Sequence, residues 1–444
     1  MKKLLAVVIS LSAPAFAAGF RIDTQAGRAT GMGSAVSAFI DDSSANFYNP
    51  AGLTTRGKGF EVMAGDTLII PQLKFTGEDG NTTSSSFQVS PPPHLYARAG
   101  LFDELAVGIG FFVPYGASGN WPPDWVGQYR AKHSSLQTYN LNVNLAYQPH
   151  RRISFAAGVS VIRGTVFIER NLNFVDNVED TPGTVELGGS AWGVGFNGGV
   201  RLEAIEDLLY VGGSIRSSSN LIFTGRSHFS NIPTEFQSRI YDQPIRAGVT
   251  LPVTGQFGLG FKLFKKLRAA IDVTYVGWSS FRELRIEFQD NPDLTVPLPK
   301  RWFDTASLHL GLEYDVTQSI QARVGFVYDP TPSPSDTLTP DLPDASRIKV
   351  SAGIGYTHPS GLFADLGFQF VALLSQRSTA PGFPGTYSGT AQVISLSIGF
   401  RRSSADRPAE PAPEAPPADA PAATDAPPAA TDAPPAQPEA APQP

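Results

Sequence analysis

Through most of this chain apolar and polar positions alternate with a period of two. From Leu267, the positions Leu267, Ala269, Ile271, Val273 and Tyr275 alternate with Arg268, Ala270, Asp272 and Thr274. Asn140, Asn142 and Asn144 alternate with Leu141, Val143 and Leu145, and Leu308, Leu310, Leu312 and Tyr314 with His309, Gly311, Glu313 and Asp315. Ile320, Ala322, Val324 and Phe326 oppose Gln321, Arg323 and Gly325, and Ile348, Val350, Ala352 and Ile354 oppose Arg347, Lys349, Ser351 and Gly353. In a strand such sets point to opposite faces. The runs predict fourteen strands, near 57–71, 86–100, 104–117, 134–148, 151–171, 184–203, 207–229, 245–264, 267–288, 301–316, 318–331, 346–358, 360–373 and 388–400. The second has the least support, because Pro91-Pro92-Pro93 removes three ladder donors.

Period alone does not separate a sandwich, which buries its apolar face, from a membrane barrel, which turns that face to lipid. Three other features do. Many of the strands exceed ten residues, whereas soluble strands average about five or six. Short turns, such as Phe102-Asp103-Glu104 and Lys265-Lys266, alternate with longer loops near 116–133, 172–183, 230–243, 289–300, 331–345 and 374–387. Short periplasmic turns and long external loops mark outer-membrane barrels. The last strand alternates Ile394, Leu396, Ile398 and Phe400, closing on an aromatic. An even strand number suits a bacterial barrel with both ends in the periplasm. The expected fold is all-β: a transmembrane antiparallel β-barrel of about 14 strands over 56–400.

The ends read differently. Residues 1–17 carry Lys2-Lys3, an apolar stretch from Leu4 to Leu11 and Ala15-Phe16-Ala17, the pattern of a cleaved signal peptide. Residues 18–55 are rich in small side chains and lack long alternation; a barrel this wide needs a plug or leaks, so this segment is expected inside as a hatch. Residues 401–444 hold 13 of the chain's 38 prolines, are acidic apart from three arginines, and repeat Thr424–Ala430 nearly as Thr431–Gln437. Such a segment buries too little apolar surface to fold. It is expected to be a disordered periplasmic tail, acting either as a spacer toward the cell wall or a partner, or as a passive solubilising segment.

Composition narrows the function. Of 444 residues, 17 % are charged, below the ~25 % of soluble domains. No cysteine is present, which excludes disulfide stapling, thiolate catalysis and Cys-ligated metals. The net charge of −6 argues against nucleic acid, whose binders are basic. No interior run reaches the roughly 18 apolar residues of a membrane helix. The six histidines are scattered without metal spacing, and neither Gly108-Ile109-Gly110 nor Gly353-Ile354-Gly355 opens a helix. No enzyme, metal or cofactor is expected.

Nearly all of 18–400 resembles the FadL/TodX family of outer-membrane transporters for hydrophobic compounds. The resemblance is carried by Ala18-Gly19-Phe20, Asp41-Asp42 with Asn49-Pro50-Ala51-Gly52-Leu53, and Val113-Pro114-Tyr115-Gly116 with Trp125-Val126-Gly127-Gln128-Tyr129-Arg130. Leu136–Asn142, Ile168-Glu169-Arg170, Ala191–Asn197, Ile215-Arg216-Ser217, Asp329-Pro330 and Pro343–Arg347 follow in order. One departure is that Phe400 does not end the chain. The resemblance implies a monomeric barrel with an N-terminal hatch. It implies uptake of long-chain fatty acids or aromatic hydrocarbons, caught at external loops, passed to a pocket beside the N-terminus and released sideways into outer-membrane lipid.

Candidate residues follow. Ala18, Gly19 and Phe20 are expected to gate the ligand, and Asn49, Pro50 and Ala51 to fix the hatch junction. Gly108, Gly110 and Pro114 are expected where the family's wall is kinked, with ordinary glycine use in a curved strand as the alternative. Trp121 and Trp125, flanked by Phe111 and Phe112, suggest a capture groove in a water-exposed loop; Tyr139, Tyr147 and Trp278 read as interfacial belt. Arg170, Arg246, Lys262, Arg268, Arg323 and Lys349 are expected to face the lumen, Arg170 being the first choice for a ligand carboxylate and salt bridges the competing role. An anchoring platform acting through the tail stands as a second function class.

Overall fold

The computed structural model describes residues 19–174, 182–295 and 297–403. The expected signal peptide, Ala18 and the tail from 404 lie outside the described residues. Fourteen antiparallel strands close into one barrel. They are β1 (Gly59–Gly77), β2 (Pro93–Gly100), β3 (Leu105–Asn120), β4 (His133–His150), β5 (Ile153–Leu172), β6 (Gly183–Ile205), β7 (Leu209–Arg216 and Ser219–Ser230) and β8 (Pro244–Leu251 and Thr254–Leu263). Then come β9 (Leu267–Val276 and Glu283–Phe288), β10 (Thr305–Asp315), β11 (Ile320–Asp329), β12 (Arg347–Thr357), β13 (Leu362–Ser378) and β14 (Gly385–Ser403). The seam is continuous, from Gly59↔Ser403 to Gly77↔Gly385. Two differences from the sequence expectation have simple causes. The ladder of β2 starts only at Pro93, because prolines supply no N–H to it. β14 runs past Phe400, since Arg401, Arg402 and Ser403 find partners in Glu61, Phe60 and Gly59.

Alternation assigns the faces. Leu141, Val143 and Leu145 are exposed on the outside of the isolated chain while Asn140, Asn142 and Asn144 are buried inside, the lipid-out, polar-in arrangement of membrane barrels. The outer half of β7–β9 departs from it. There Leu221, Phe223, Ile245, Ala247, Val249 and Ile286 point inward and are buried. Arg246 is therefore on the outer face, exposed, which corrects its expected place in the lumen. It lies next to the external loop at 231–243, where an outward cation meets water or headgroups rather than hydrocarbon.

Residues 19–55 are almost entirely buried. Their elements, α1 (Gly27–Gly31), α2 (Ala45–Tyr48) and a 3₁₀ turn at Pro50–Thr54, are too short to be stable alone, so the wall holds them. The Val36 and Ser37 N–H groups donate to Asp272 Oδ2 (3.1 and 2.9 Å), Gly27 N–H to Ser397 Oγ (2.9 Å), and Ser154 Oγ to Ala51 O (3.0 Å). These partners come from β9, β14 and β5, so the segment crosses the barrel interior. Gly212 and Gly325 admit it: a Cβ there would lie 2.2 Å from Ser37 O and 2.2 Å from Gly33 N.

The strongest tie is ionic. Glu313 on β10 accepts from Arg28 (2.9 and 3.0 Å) and Arg323 (2.7 Å) and also pairs with Arg268. Arg28 reaches on to Asp41 and Asp42, and Arg323 to Asp365 (2.6 Å). The buried guanidiniums of Arg28 and Arg323 and the half-buried one of Arg268 thus share one buried carboxylate, so its removal takes away the one carboxylate common to three cations in a site of low polarity. Glu313→Ala is expected to cost about 3–5 kcal/mol, seen as heat-induced loss of the compact gel form at lower temperature. Lys58→Ala, which breaks an exposed pair with Asp103 at 3.8 Å, should leave that temperature unchanged.

Candidate functional site

The site begins where the wall's ladder is incomplete. β2 pairs with β3 only as far as Leu95↔Phe111. Beyond it β3 shifts register between Phe112 and Tyr115, and the chain before β2 holds Pro91-Pro92-Pro93. The free edge of β3 is taken up by the N-terminal segment instead. Ile22 N–H donates to Pro114 O (2.8 Å) and Gly116 N–H to Phe20 O (2.9 Å), with Arg21 bridged to Tyr115.

Those bonds aim Phe20 at an aromatic cage. Its ring lies 4.5 Å from Trp278, 5.7 Å from Phe281 and Trp302, and 5.9 Å from Tyr115, centroid to centroid. Each such pair adds about 0.5–1.5 kcal/mol beyond burial. Gly19 is held by the loop before β12: its N–H donates to Asp344 Oδ2 (3.1 Å), and Arg347 donates to its carbonyl (3.0 Å) and to Asp344 (2.6 Å). Burial raises the Asp344 carboxyl above its ordinary value against the pull of Arg347. Burial also works against the Asp23 carboxylate, but Lys349 at 3.1 Å, His309 and Arg21 together outweigh it and hold the group below the carboxylate range.

Beside Gly19 and Arg21 opens a cavity of about 210 Å³. Its lining is mostly apolar, from Ile69, Pro71, Leu136, Val371, Val393 and Trp302, with Arg347, Lys349 and Asp344 at one side. Gln137 and Tyr139 also line it. On β4 the odd positions face outward, as Leu141 and Val143 do, so the cavity is lined by residues of both parities of β4 beside the β2–β3 break.

The expected site residues divide. Gly19 lines the cavity, and Phe20 beside it is buried in the aromatic cage. Phe112 is inward and buried, 5.2 Å from Phe47, whereas Phe111 is on the outer face, stacked on Tyr139 at 6.1 Å. Pro114 sits in the register shift, but Gly108 and Gly110 lie in regular ladder. A Cβ at Gly108 would be 2.3 Å from Asn46 Oδ1, so this glycine makes room for the N-terminal segment. Asn49 is extended, as a residue before proline must be, and its Oδ1 accepts from Ala51 N–H (3.2 Å) while its Nδ2 reaches Ser37 O (2.8 Å) and Val200 O (3.0 Å). With Pro50 it caps the 3₁₀ turn and fastens it to β6.

Three expectations are corrected. Trp121 and Trp125 are not exposed (3 % and 4 %); they stack at 4.3 Å and bond Pro340 O and Ala131 O, closing the external loops on each other with Phe75 and Tyr387. The exposed apolar positions of that loop are Val126 (65 %) and Tyr129 (40 %). Arg170 does not line the cavity; Arg21, Arg347 and Lys349 do. Trp278 is no belt residue but fully buried against Phe20. Sequence reading missed the inward turn of Trp278 and Trp302 because both sit where strand alternation stops. The available signal was Gly277-Trp278-Ser279-Ser280, which interrupts the period of two.

Comparison with known proteins agrees with this fold. The family described as outer membrane protein transport protein (OMPP1/FadL/TodX) matches residues 8–401. A long-chain fatty acid transport protein of Escherichia coli O6:H1 is 24 % identical over 409 residues, 83 % of this chain and 90 % of that protein. A 47 kDa outer membrane protein of Pasteurella multocida is 24 % identical over 420 residues, 90 % of this chain and 97 % of that protein. Among solved structures, a Pseudomonas aeruginosa FadL homologue superposes with TM-score 0.78 at 20 % identity, covering 86 % of this chain and 99 % of its own. The Pseudomonas putida toluene transporter TodX gives 0.71 at 18 %, covering 85 % and 98 %.

Removing the Phe20 ring opens the cage to water. Phe20→Ala is expected to red-shift tryptophan emission, because Trp278 and Trp302 lose their dry partner, whereas Phe111→Ala on the outer face should leave the spectrum unchanged.

Proposed function

The chain belongs to the family of outer membrane protein transport proteins (OMPP1/FadL/TodX), and from that premise we propose that it takes up long-chain fatty acids through the break between β2 and β3. The protein is an outer-membrane barrel, and its family consists of transporters. The observation that carries the reading is the mostly apolar cavity beside the β2–β3 break, lined by residues of both faces, Leu136 and Val371 of the inner and Gln137 and Tyr139 of the outer. Ligand is caught at exposed apolar loop positions such as Val126 and Tyr129, and enters the cavity beside Phe20. Gly19 and Phe20 gate it, and release is sideways into the bilayer. Each buried CH₂ contributes about 0.8 kcal/mol, which exit into water would forfeit and exit into lipid does not.

In this scheme the hatch blocks the direct path to the periplasm. The chain acts as a monomer after removal of residues 1–17, and the tail from 404 is a periplasmic spacer. A second reading, uptake of aromatic hydrocarbons, has one observation in its favour. Arg347 and Lys349, two of the three cations in the cavity lining, are already paired, with Asp344 and with Asp23 and Asp329.

Uptake of labelled oleate and labelled toluene, in a host lacking its own transporter, tests both. Oleate uptake above empty vector, lost on deleting Ala18–Phe20 and kept on truncation after Ser403, is the expected result. Toluene alone would favour the second reading. Transport of neither, with folded barrel in the membrane, would overturn transport and leave the anchoring role of the tail.

A further inference from the structure

Arg21 also lines a second cavity, of about 20 Å³, room for about one solvent-sized group. Arg21, Phe47, Tyr115, Arg216, Gln256 and Thr274 enclose it, and none of its lining residues is acidic. The two guanidiniums share one ring: Arg21 lies 6.0 Å and Arg216 5.6 Å from the Phe47 centroid, with Arg216 also 5.2 Å from Phe112. Arg216 makes only long bonds, to Phe47 O (3.3 Å) and Ser160 Oγ (3.4 Å). The Thr274 hydroxyl is buried without a partner.

Six other buried or half-buried cations are matched to carboxylates. Arg28, Arg268 and Arg323 share Glu313, Arg347 has Asp344, Lys300 has Asp341, and Lys349 has Asp23 and Asp329. Among the described residues no carboxylate is paired with Arg21 or Arg216. Two like charges that face one water-sized polar space are stabilised by an anion placed between them, and guanidinium is the group suited to bind both oxygens of a carboxylate.

We propose that Arg21 and Arg216 form a head-group site for the carboxylate of an amphipathic ligand whose chain lies in the large cavity. Arg21 lines both spaces, so it is the point where chain and head group join. The Thr274 hydroxyl supplies a third donor. The inference rests on the uptake reading above and deepens it: the site selects a fatty carboxylate over a neutral molecule of equal length.

The experiment titrates the purified full-length protein in detergent with oleate and, separately, oleyl alcohol, read by tryptophan emission from Trp278 and Trp302. The wild type is expected to bind oleate at least about tenfold more tightly than the alcohol. Arg216→Gln should weaken oleate by about tenfold or more while the alcohol shifts by less than about twofold. Arg216→Lys should recover part of the loss, and Arg21→Gln should repeat the selective effect from the hatch side. Heat-modifiable gel migration checks that each variant is folded. Oleate binding unchanged in both Gln variants would overturn the site. Equal weakening of oleate and alcohol would do the same, since it reports lost packing rather than lost charge. Should the wild type bind neither probe, the uptake reading itself falls.

Discussion

Hydrocarbon offers a peptide group no hydrogen-bond partner, and the features of this barrel follow from where its ladder is closed and where it is not. Around most of the wall each strand satisfies its neighbour, and the seam of β1 with β14 leaves no edge. At the β2–β3 break the missing partner is replaced by Phe20 and Ile22 of the N-terminal segment. The same substitution that satisfies the edge of β3 inserts Phe20 into its cage and leaves an apolar space beside it. Wall closure, aromatic cage and cavity are therefore one structural event.

A second interruption shapes the opposite wall. β7 breaks at Ser217-Ser218, β8 at Pro252-Val253 and β9 over 277–282, and the three breaks adjoin, since Thr254 pairs with both Arg216 and Val276. The freed groups are met locally, Gly277 N–H by Val253 O (2.9 Å) and Ser217 N–H by Phe196 O (2.8 Å). Released from the ladder, Trp278 turns inward to meet Phe20. The break also sets Arg216 next to Phe47 of α2, so the cage and the paired guanidiniums both depend on it.

The lumen is graded along its length. Apolar side chains of β7–β9 fill the external half. Around Glu313, two residues before the end of β10 at its short turn to β11, the periplasmic half is a mesh of ion pairs. A hydrophobic ligand gains from contact down to Phe20 and would have to displace charge pairs to go further. That gradient gives the sideways route its direction in the proposed mechanism.

The sequence alone determined the barrel, the strand number and most strand limits, because alternation is a local property and lipid imposes it on every strand. It marked Pro91-Pro92-Pro93 as the weak point of the second strand for the same local reason, the missing N–H groups. Gly19, Phe20, Asn49 and Pro114 were also legible, through the order and spacing of their motifs. Only the tertiary structure decided which way side chains point where the alternation lapses or inverts. Trp278 and Trp302 turn in, Arg246 turns out, and Trp121 and Trp125 close on each other instead of on solvent. It also decided which charges meet. Asp23 and Lys349 lie 326 positions apart in the chain and neutralise each other, while Arg21 and Arg216 come together with no carboxylate between them. Charge pairing inside a barrel depends on which strand faces which part of the N-terminal segment, and no period in a sequence encodes that.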